Sequence, residues 1–229
     1  MMIDLKTIKT FWINMSSNTE RNSDMKALFE RLGMKNTEHF EGIVLDPNSH
    51  IKDGSGMATH TLLSKILDEN QFPCLILEDD VQELTNNFKR YFDVPDDCDA
   101  LYLGVSTAGA RGANSVATVL NDDYFRVWNM LATHAVVYFS RKYVEELLKR
   151  GKWFLDNNIP YDIGIGEIHC HFNVLTPTYP VFYQSDPHGK AKHPVELCTR
   201  YQLHPQHSSV KYIKFQNGSS IYERHFNIG

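Results

Sequence analysis

Short apolar runs along this chain alternate with longer stretches in which apolar residues recur every three or four positions. That is the pattern of strands and helices taking turns. Thr10-Phe11-Trp12-Ile13-Asn14, rich in aromatic and β-branched residues, predicts a first strand. A polar loop follows from Met15 to Thr19. Met25, Leu28, Phe29 and Leu32 then fall at i, i+3, i+4 and i+7, which predicts a helix with one buried face and a stop at Gly33. His39–Leu45 reads as a second strand. Gly54-Ser55-Gly56 opens a helix to about Glu69, with Ala58, Leu62, Leu63, Ile66 and Leu67 on its apolar side. The run Cys74-Leu75-Ile76-Leu77 follows Pro73 and is apolar throughout, as a strand buried on both faces should be. It then breaks into three consecutive carboxylates, Glu78-Asp79-Asp80.

Past the acidic run, Leu84–Phe92 predicts a short helix and Pro95-Asp96-Asp97 a turn. Ala100-Leu101-Tyr102-Leu103-Gly104 is another strand, and the small residues from Thr107 to Asn114 form a loop. Val116–Leu120 and Phe125–Trp128 alternate about Asn121-Asp122-Asp123, which suggests a hairpin. Ala135–Phe139 is a core strand. Ser140 caps a helix that carries Val144, Leu147 and Leu148 inward and that Gly151 ends. Pro160-Tyr161-Asp162 opens a further helical segment with Ile163, Ile165 and Ile168. Val174–Gln184, with two prolines, reads as a broken edge strand. Beyond Gln184 the chain turns polar and basic, and its last stretch is weakly patterned.

Composition narrows the classes. With 229 residues, 42% apolar and 22% charged, the chain is one globular α/β domain with room for a substantial core. A net charge of -5 argues against nucleic acid as the main partner. Cys74, Cys98, Cys170 and Cys198 are scattered and suit free thiols in a reducing compartment. No apolar stretch nears the ~20 residues of a transmembrane helix, and the first residues lack a secretory pattern, so a cytoplasmic protein is expected.

Three adjacent carboxylates at the end of a central strand repel one another unless something positive sits among them. Their oxygens are the ligands that Mg²⁺ and Mn²⁺ prefer, and the alternative is a solvated acidic turn. Strand, loop and helix is the unit that places ligands at the loop in open α/β sheets. Arg21, at the start of the first helix, is placed either to meet a phosphate or to be a surface charge. His60, with Thr59 in the first turn of the second helix, is either near a bound anion or a packing histidine.

Several motifs together resemble glycosyltransferase family 25, the group of lipooligosaccharide and collagen galactosyltransferases. They are Phe11-Trp12-Ile13-Asn14-Met15 with Glu20-Arg21, Phe40-Glu41-Gly42-Ile43, and Gly56-Met57-Ala58-Thr59-His60. Leu75–Val81 is similar to that family's "LILEDDV", and Asp99–Gly104 to its "D-x-x-YLG". Thr133-His134-Ala135 through Ser140-Arg141-Lys142 to Leu147-Leu148, and Pro160-Tyr161-Asp162, continue in family order to about residue 185. Ala132 stands where glycine is commoner, and Thr59 replaces a serine.

The resemblance implies a GT-A fold, a Rossmann-like mixed and mostly parallel sheet flanked by helices. It would span residues 1–195, with 196–229 as a C-terminal extension. The implied reaction is metal-dependent transfer of a hexose, with inversion, from a nucleotide diphosphate sugar (a UDP-sugar favoured). The acceptor would be a glycan hydroxyl on lipid, polysaccharide or protein. The implied cofactor is Mn²⁺ or Mg²⁺, held by Asp80 and Glu78 with His188 completing the site and His169 and His171 as rivals. Asn14, Arg21, His60, Glu78, Asp79 and Lys190 would meet the nucleotide sugar, and Thr133 and His134 the acceptor. An inverting displacement needs a base for the acceptor hydroxyl, and Asp162 is the candidate, a helix N-cap being its other reading. Two rival functions are a sugar-nucleotide-binding module without turnover and a metal-dependent phosphohydrolase.

Overall fold

A computed structural model describes residues 1–51, 53–83, 88–105, 117–178 and 181–184, with two strands at 214–216 and 219–221. In chain order the elements are β1 (Met2–Asp4), β2 (Lys9–Asn14), α1 (Thr19–Leu32), β3 (Thr37–Glu41), α2 (Gly54–Glu69), β4 (Cys74–Glu78), β5 (Val81–Glu83), β6 (Tyr91–Asp93) and β7 (Ala100–Tyr102). They continue with β8 (Ala117–Val119), β9 (Tyr124–Val127), β10 (Ala135–Tyr138), α3 (Arg141–Asp156), α4 (Tyr161–Ile168), a 3₁₀ turn (His169–His171), β11 (Val174–Pro177), β12 (Phe182–Gln184), β13 (Lys214–Gln216) and β14 (Ser219–Ile221).

Eight strands form the main sheet in the order β3-β2-β4-β10-β7-β11-β9-β8. The pairings run β3, β2, β4, β7, β11 and β8 in one direction, with β10 and β9 against them. The fold is therefore a Rossmann-like α/β sandwich on a mixed, mostly parallel sheet. Successive residues of β4 point to opposite faces, so Ile76 joins one core cluster while Leu75 and Leu77 join the other. Phe11, Ile76, Val136, Tyr138 and Tyr102 pack against Leu62, Leu63 and Ile66 of α2 and Tyr143, Val144 and Leu147 of α3. Trp12, Leu75, Leu77 and Val137 pack in the opposite cluster with Met25, Leu28, Phe29 and Leu32 of α1. Apolar residues on both faces explain why β4 and β10 read as unbroken apolar runs.

The helix starts and stops follow local chemistry. Asn18, Asp53 and Ser140 accept backbone N–H bonds at the starts of α1, α2 and α3, and Gly33 ends α1 at φ 69°. Four sequence expectations change. Within the expected helix Leu84–Phe92, Tyr91 and Phe92 belong to strand β6, which pairs with β1, while residues 84–87 lie outside the described set. Gly151 does not end α3. The helix runs to Asp156, and the missing side chain at Gly151 leaves room for the Tyr161 ring. β11 is not an edge: it is fully buried between β7 and β9, with Pro177 at its last position. The second strand is β3, Thr37–Glu41, and ends before Leu45. The 106–116 segment, Cys198 and the 195/196 boundary lie outside the described residues. Cys74, Cys98 and Cys170 are free thiols. Among the described residues no helix is long and apolar enough to cross a membrane.

Gly104 lies just past β7, beside His134, where a Cβ would overlap the imidazole ring. His134 is buried and has nowhere to retreat. Gly104→Ala is therefore expected to lower stability by about 2–3 kcal/mol, the cost of overpacking a filled core. A urea melt with a wild-type midpoint would contradict this.

Candidate active site

The site lies at the edge of the sheet where the parallel strands β2 and β4 end. Ile13 stands opposite Glu78 in the register, which brings Asn14 and the acidic triplet to one corner. Asp79 is held from two sides: Arg21 donates through Nη1 at 2.6 Å and Asn14 through Nδ2 at 2.7 Å. The expected meeting of Asn14, Arg21 and the acidic run is thus present, with Asp79 as its centre. Arg21 is therefore not an unpartnered surface charge.

Glu78 and Asp80 are in a different situation: both are half-buried, and among the described residues neither forms an ion pair. The Glu78 carboxylate accepts from the Thr133 hydroxyl and, at 3.1 Å, from Gln184 Nε2. The same amide reaches Asp80 Oδ2 at 3.5 Å, while Asp80 Oδ1 is shielded from solvent and has no hydrogen-bond partner among the described residues. Burial first, and then the neighbouring Asp80, push the Glu78 carboxyl up to about 7. Burial likewise pushes Asp80 up to about 6, against the pull of Arg21. These are not the properties of a solvated acidic turn.

Beside Glu78 opens a cavity of about 460 Å³, lined by Asp53, Ser55, Thr59, Thr133, Asp162 and Gln184 among others. The first turns of α2 and α4 both face it. Asp162 sits in the first turn of α4, where the N-cap is Pro160, a residue that gives no side-chain cap bond. The N-cap reading of Asp162 is therefore set aside. Burial holds its carboxyl above the usual aspartate range, with a further push from Asp53.

Other expected residues sit elsewhere. His60 is half-buried with Nδ1 3.2 Å from the Tyr161 hydroxyl and its ring edge-on to that tyrosine, so its polar contact is a packing partner. Thr133 lines the cavity, but His134 turns into the core, where burial depresses its imidazole to about 4; only its carbonyl serves the site, accepting from Glu78 N at 2.9 Å. His169 is fully buried, with Nε2 2.9 Å from the Tyr102 hydroxyl, and is removed as a metal rival. His171 is exposed and borders a separate cavity with Lys142, Glu146 and Arg150. His188 and Lys190 lie outside the described residues. Sequence reasoning missed Asp53 and Gln184: the first looks like any loop aspartate before a helix, and no pattern marks the second.

Among the described residues no three His, Cys, Asp or Glu side chains converge as a ready cation cage. Those residues do hold a pair of hard oxygen donors, Glu78 and Asp80, that share one amide, with one interior oxygen of Asp80 unpartnered among the described residues. That donor set fits Mn²⁺ or Mg²⁺, with the remaining positions open to water or substrate oxygens.

No protein-family model matches the sequence, and no curated protein matches it. Among solved structures, the CTP:phosphocholine cytidylyltransferase of Streptococcus pneumoniae aligns over 77% of this chain and 92% of that one, with a TM-score of 0.38 and 9% identity. At that distance the likeness carries nothing about activity, and what can be said of this chain's chemistry comes from its own corner of acids.

Proposed function

We propose that the chain is a metal-dependent glycosyltransferase. It would move a hexose from a nucleotide diphosphate sugar, a UDP-sugar favoured, to a glycan hydroxyl with inversion. The observation that carries this reading is one cavity whose lining includes both Glu78 of the acidic corner and Asp162.

Glu78 and Asp80 would hold the divalent cation, which when bound supplies the positive charge that a departing diphosphate needs. Arg21 keeps guanidinium N–H groups beyond the one given to Asp79, and these suit phosphate oxygens at the same corner. Asn14 fixes the Asp79 carboxylate from the other side and so holds Arg21 in place. Within the cavity the hydroxyls of Ser55, Thr59 and Thr133 and the Gln184 amide are groups that pair with sugar hydroxyls. Asp162 takes the acceptor proton. Its carboxyl, raised by burial, is a better base near neutrality than an exposed aspartate.

The test is release of nucleoside diphosphate from a panel of UDP-hexoses with and without Mn²⁺, in the presence of simple glycosides as acceptors. Mn²⁺-dependent turnover of at least one donor is expected. Binding without turnover under any acceptor would make the chain a sugar-nucleotide module. Release of inorganic phosphate from simple esters would make it a phosphohydrolase.

A further inference from the structure

Asp53 ties together the two helices that face the cavity. Its Oδ1 accepts from Gly56 N at 2.7 Å and closes the first turn of α2. Its Oδ2 accepts from Tyr161 N at 2.9 Å, across 108 residues of chain, at the first residue of α4. The next residue is Asp162. α4 has no side-chain cap of its own, so Asp53 supplies from another helix what its N-terminus lacks.

The Tyr161 side chain is clamped as well. A Cβ on Gly56 would overlap both Asp53 Oδ2 and Tyr161 Cβ, and a Cβ on Gly151 would overlap the Tyr161 ring. The hydroxyl at the far end of the ring meets His60 Nδ1. The residue before Asp162 is thus fixed at its backbone, its Cβ and its ring tip. Ordinary capping needs only the α2 bond from Gly56 N; the second bond, and the side-chain space left open at Gly56 and Gly151, have no role in capping α2.

We infer that Asp53 is a positioning residue: by bridging the N-termini of α2 and α4 it sets where the Asp162 carboxylate stands in the cavity. This rests on the transfer reading, in which Asp162 takes the acceptor proton. Misplacing a base by about 1 Å costs on the order of a hundredfold in rate. Binding of the donor, at the Arg21 corner, is untouched.

Asp53→Ser separates the two bonds, because serine caps a helix as well as aspartate but is too short to span to Tyr161 N. Expected for this variant are a melting temperature within about 4 °C of wild type, a donor KM within about threefold, and a kcat about a hundredfold lower. Carbon NMR of aspartate-labelled protein, with the Asp162 signal assigned by Asp162→Asn, gives a readout that needs no substrate. The titration of Asp162 should move downward in Asp53→Ser, since the carboxyl loses the adjacent charge of Asp53. Asp53→Asn preserves side-chain size, and should show the same movement if the serine variant does not fold. An Asp162 titration unchanged in both variants, or a wild-type kcat, would reduce Asp53 to a cap. If the wild-type chain turns over no nucleotide sugar, the transfer reading fails, and the backbone amide shifts of Tyr161 and Asp162 in Asp53→Ser, moved if Asp53 places the start of α4 and unmoved if it only caps α2, decide the role of Asp53.

Discussion

Asp162→Asn is expected to lower transfer by about 10²- to 10⁴-fold, the range that a positioned proton acceptor contributes, while donor affinity stays within a few-fold. Both halves follow from where the residue stands. Asp162 borders the cavity from α4, whereas Arg21 and Asn14 meet at Asp79, at the end of β2. Asparagine keeps the shape of aspartate but cannot accept a proton. The fold should tolerate the change, because Asp162 is not the N-cap of α4, burial already disfavours its charged form, and an asparagine oxygen can still accept from the Ile163 N–H. Steady-state kinetics beside calorimetric donor titration check this. Unchanged turnover would remove Asp162 from the chemistry.

The second large effect concerns the acidic pair. Asp80→Ala should abolish Mn²⁺-dependent donor binding and leave the secondary structure intact by circular dichroism; full activity in that variant would count against the metal assignment. The same pair predicts how stability varies with pH when no cation is added. Glu78 has an ordinary value of 4.5 and is raised to about 7 in the folded chain. Between those limits the native state holds a proton that the unfolded chain has lost. Stability therefore falls as pH rises from about 4.5 to about 7.

Buried His134 and His169 act in the opposite sense. Their folded values, about 4 and about 3, lie below the ordinary 6.5, so their contribution is complete above pH 6.5 and is lost on acidification. The difference between wild type and Glu78→Gln isolates the carboxylate from these histidines. Urea melts from pH 4.5 to 8 should show Glu78→Gln gaining on wild type as pH rises. Mn²⁺ should stabilise the wild-type chain more at pH 7.5 than at pH 5.5. A pH-independent difference would show that Glu78 is not held in a charge-averse setting.

Much of the scaffold could be read from the chain, because burial leaves periodic marks. β2, β4 and β10 and helices α1 and α2 were legible since each has one or two wholly apolar faces. The β1–β6 ribbon was not: three residues per strand are too few for alternation to declare itself, and the pairing spans most of a hundred positions. Gly151 misled for a physical reason. A glycine late in a helix is the usual stop signal, but this one makes room for an aromatic ring arriving from α4. In the site, the acidic triplet was conspicuous, yet its division of labour was not. Asp79 belongs to Arg21 and Asn14, while Glu78 and Asp80 share Gln184, and only tertiary placement separates them. His60 and His134 carried motif-like neighbours but turn their imidazoles to Tyr161 and to the core. Asp53 acts on α4 from 108 residues away, a relation no local pattern encodes.

What the acidic corner binds decides between sugar transfer and any other function. A crystal soaked with MnCl₂ and a UDP-hexose, with diffraction measured at the manganese edge, tests it most directly. The prediction is an anomalous peak in bonding contact with carboxylate oxygens of Glu78 and Asp80, the diphosphate beside it near Arg21, and the sugar toward Asp162. No peak at those carboxylates, or a nucleotide bound away from them, would contradict it.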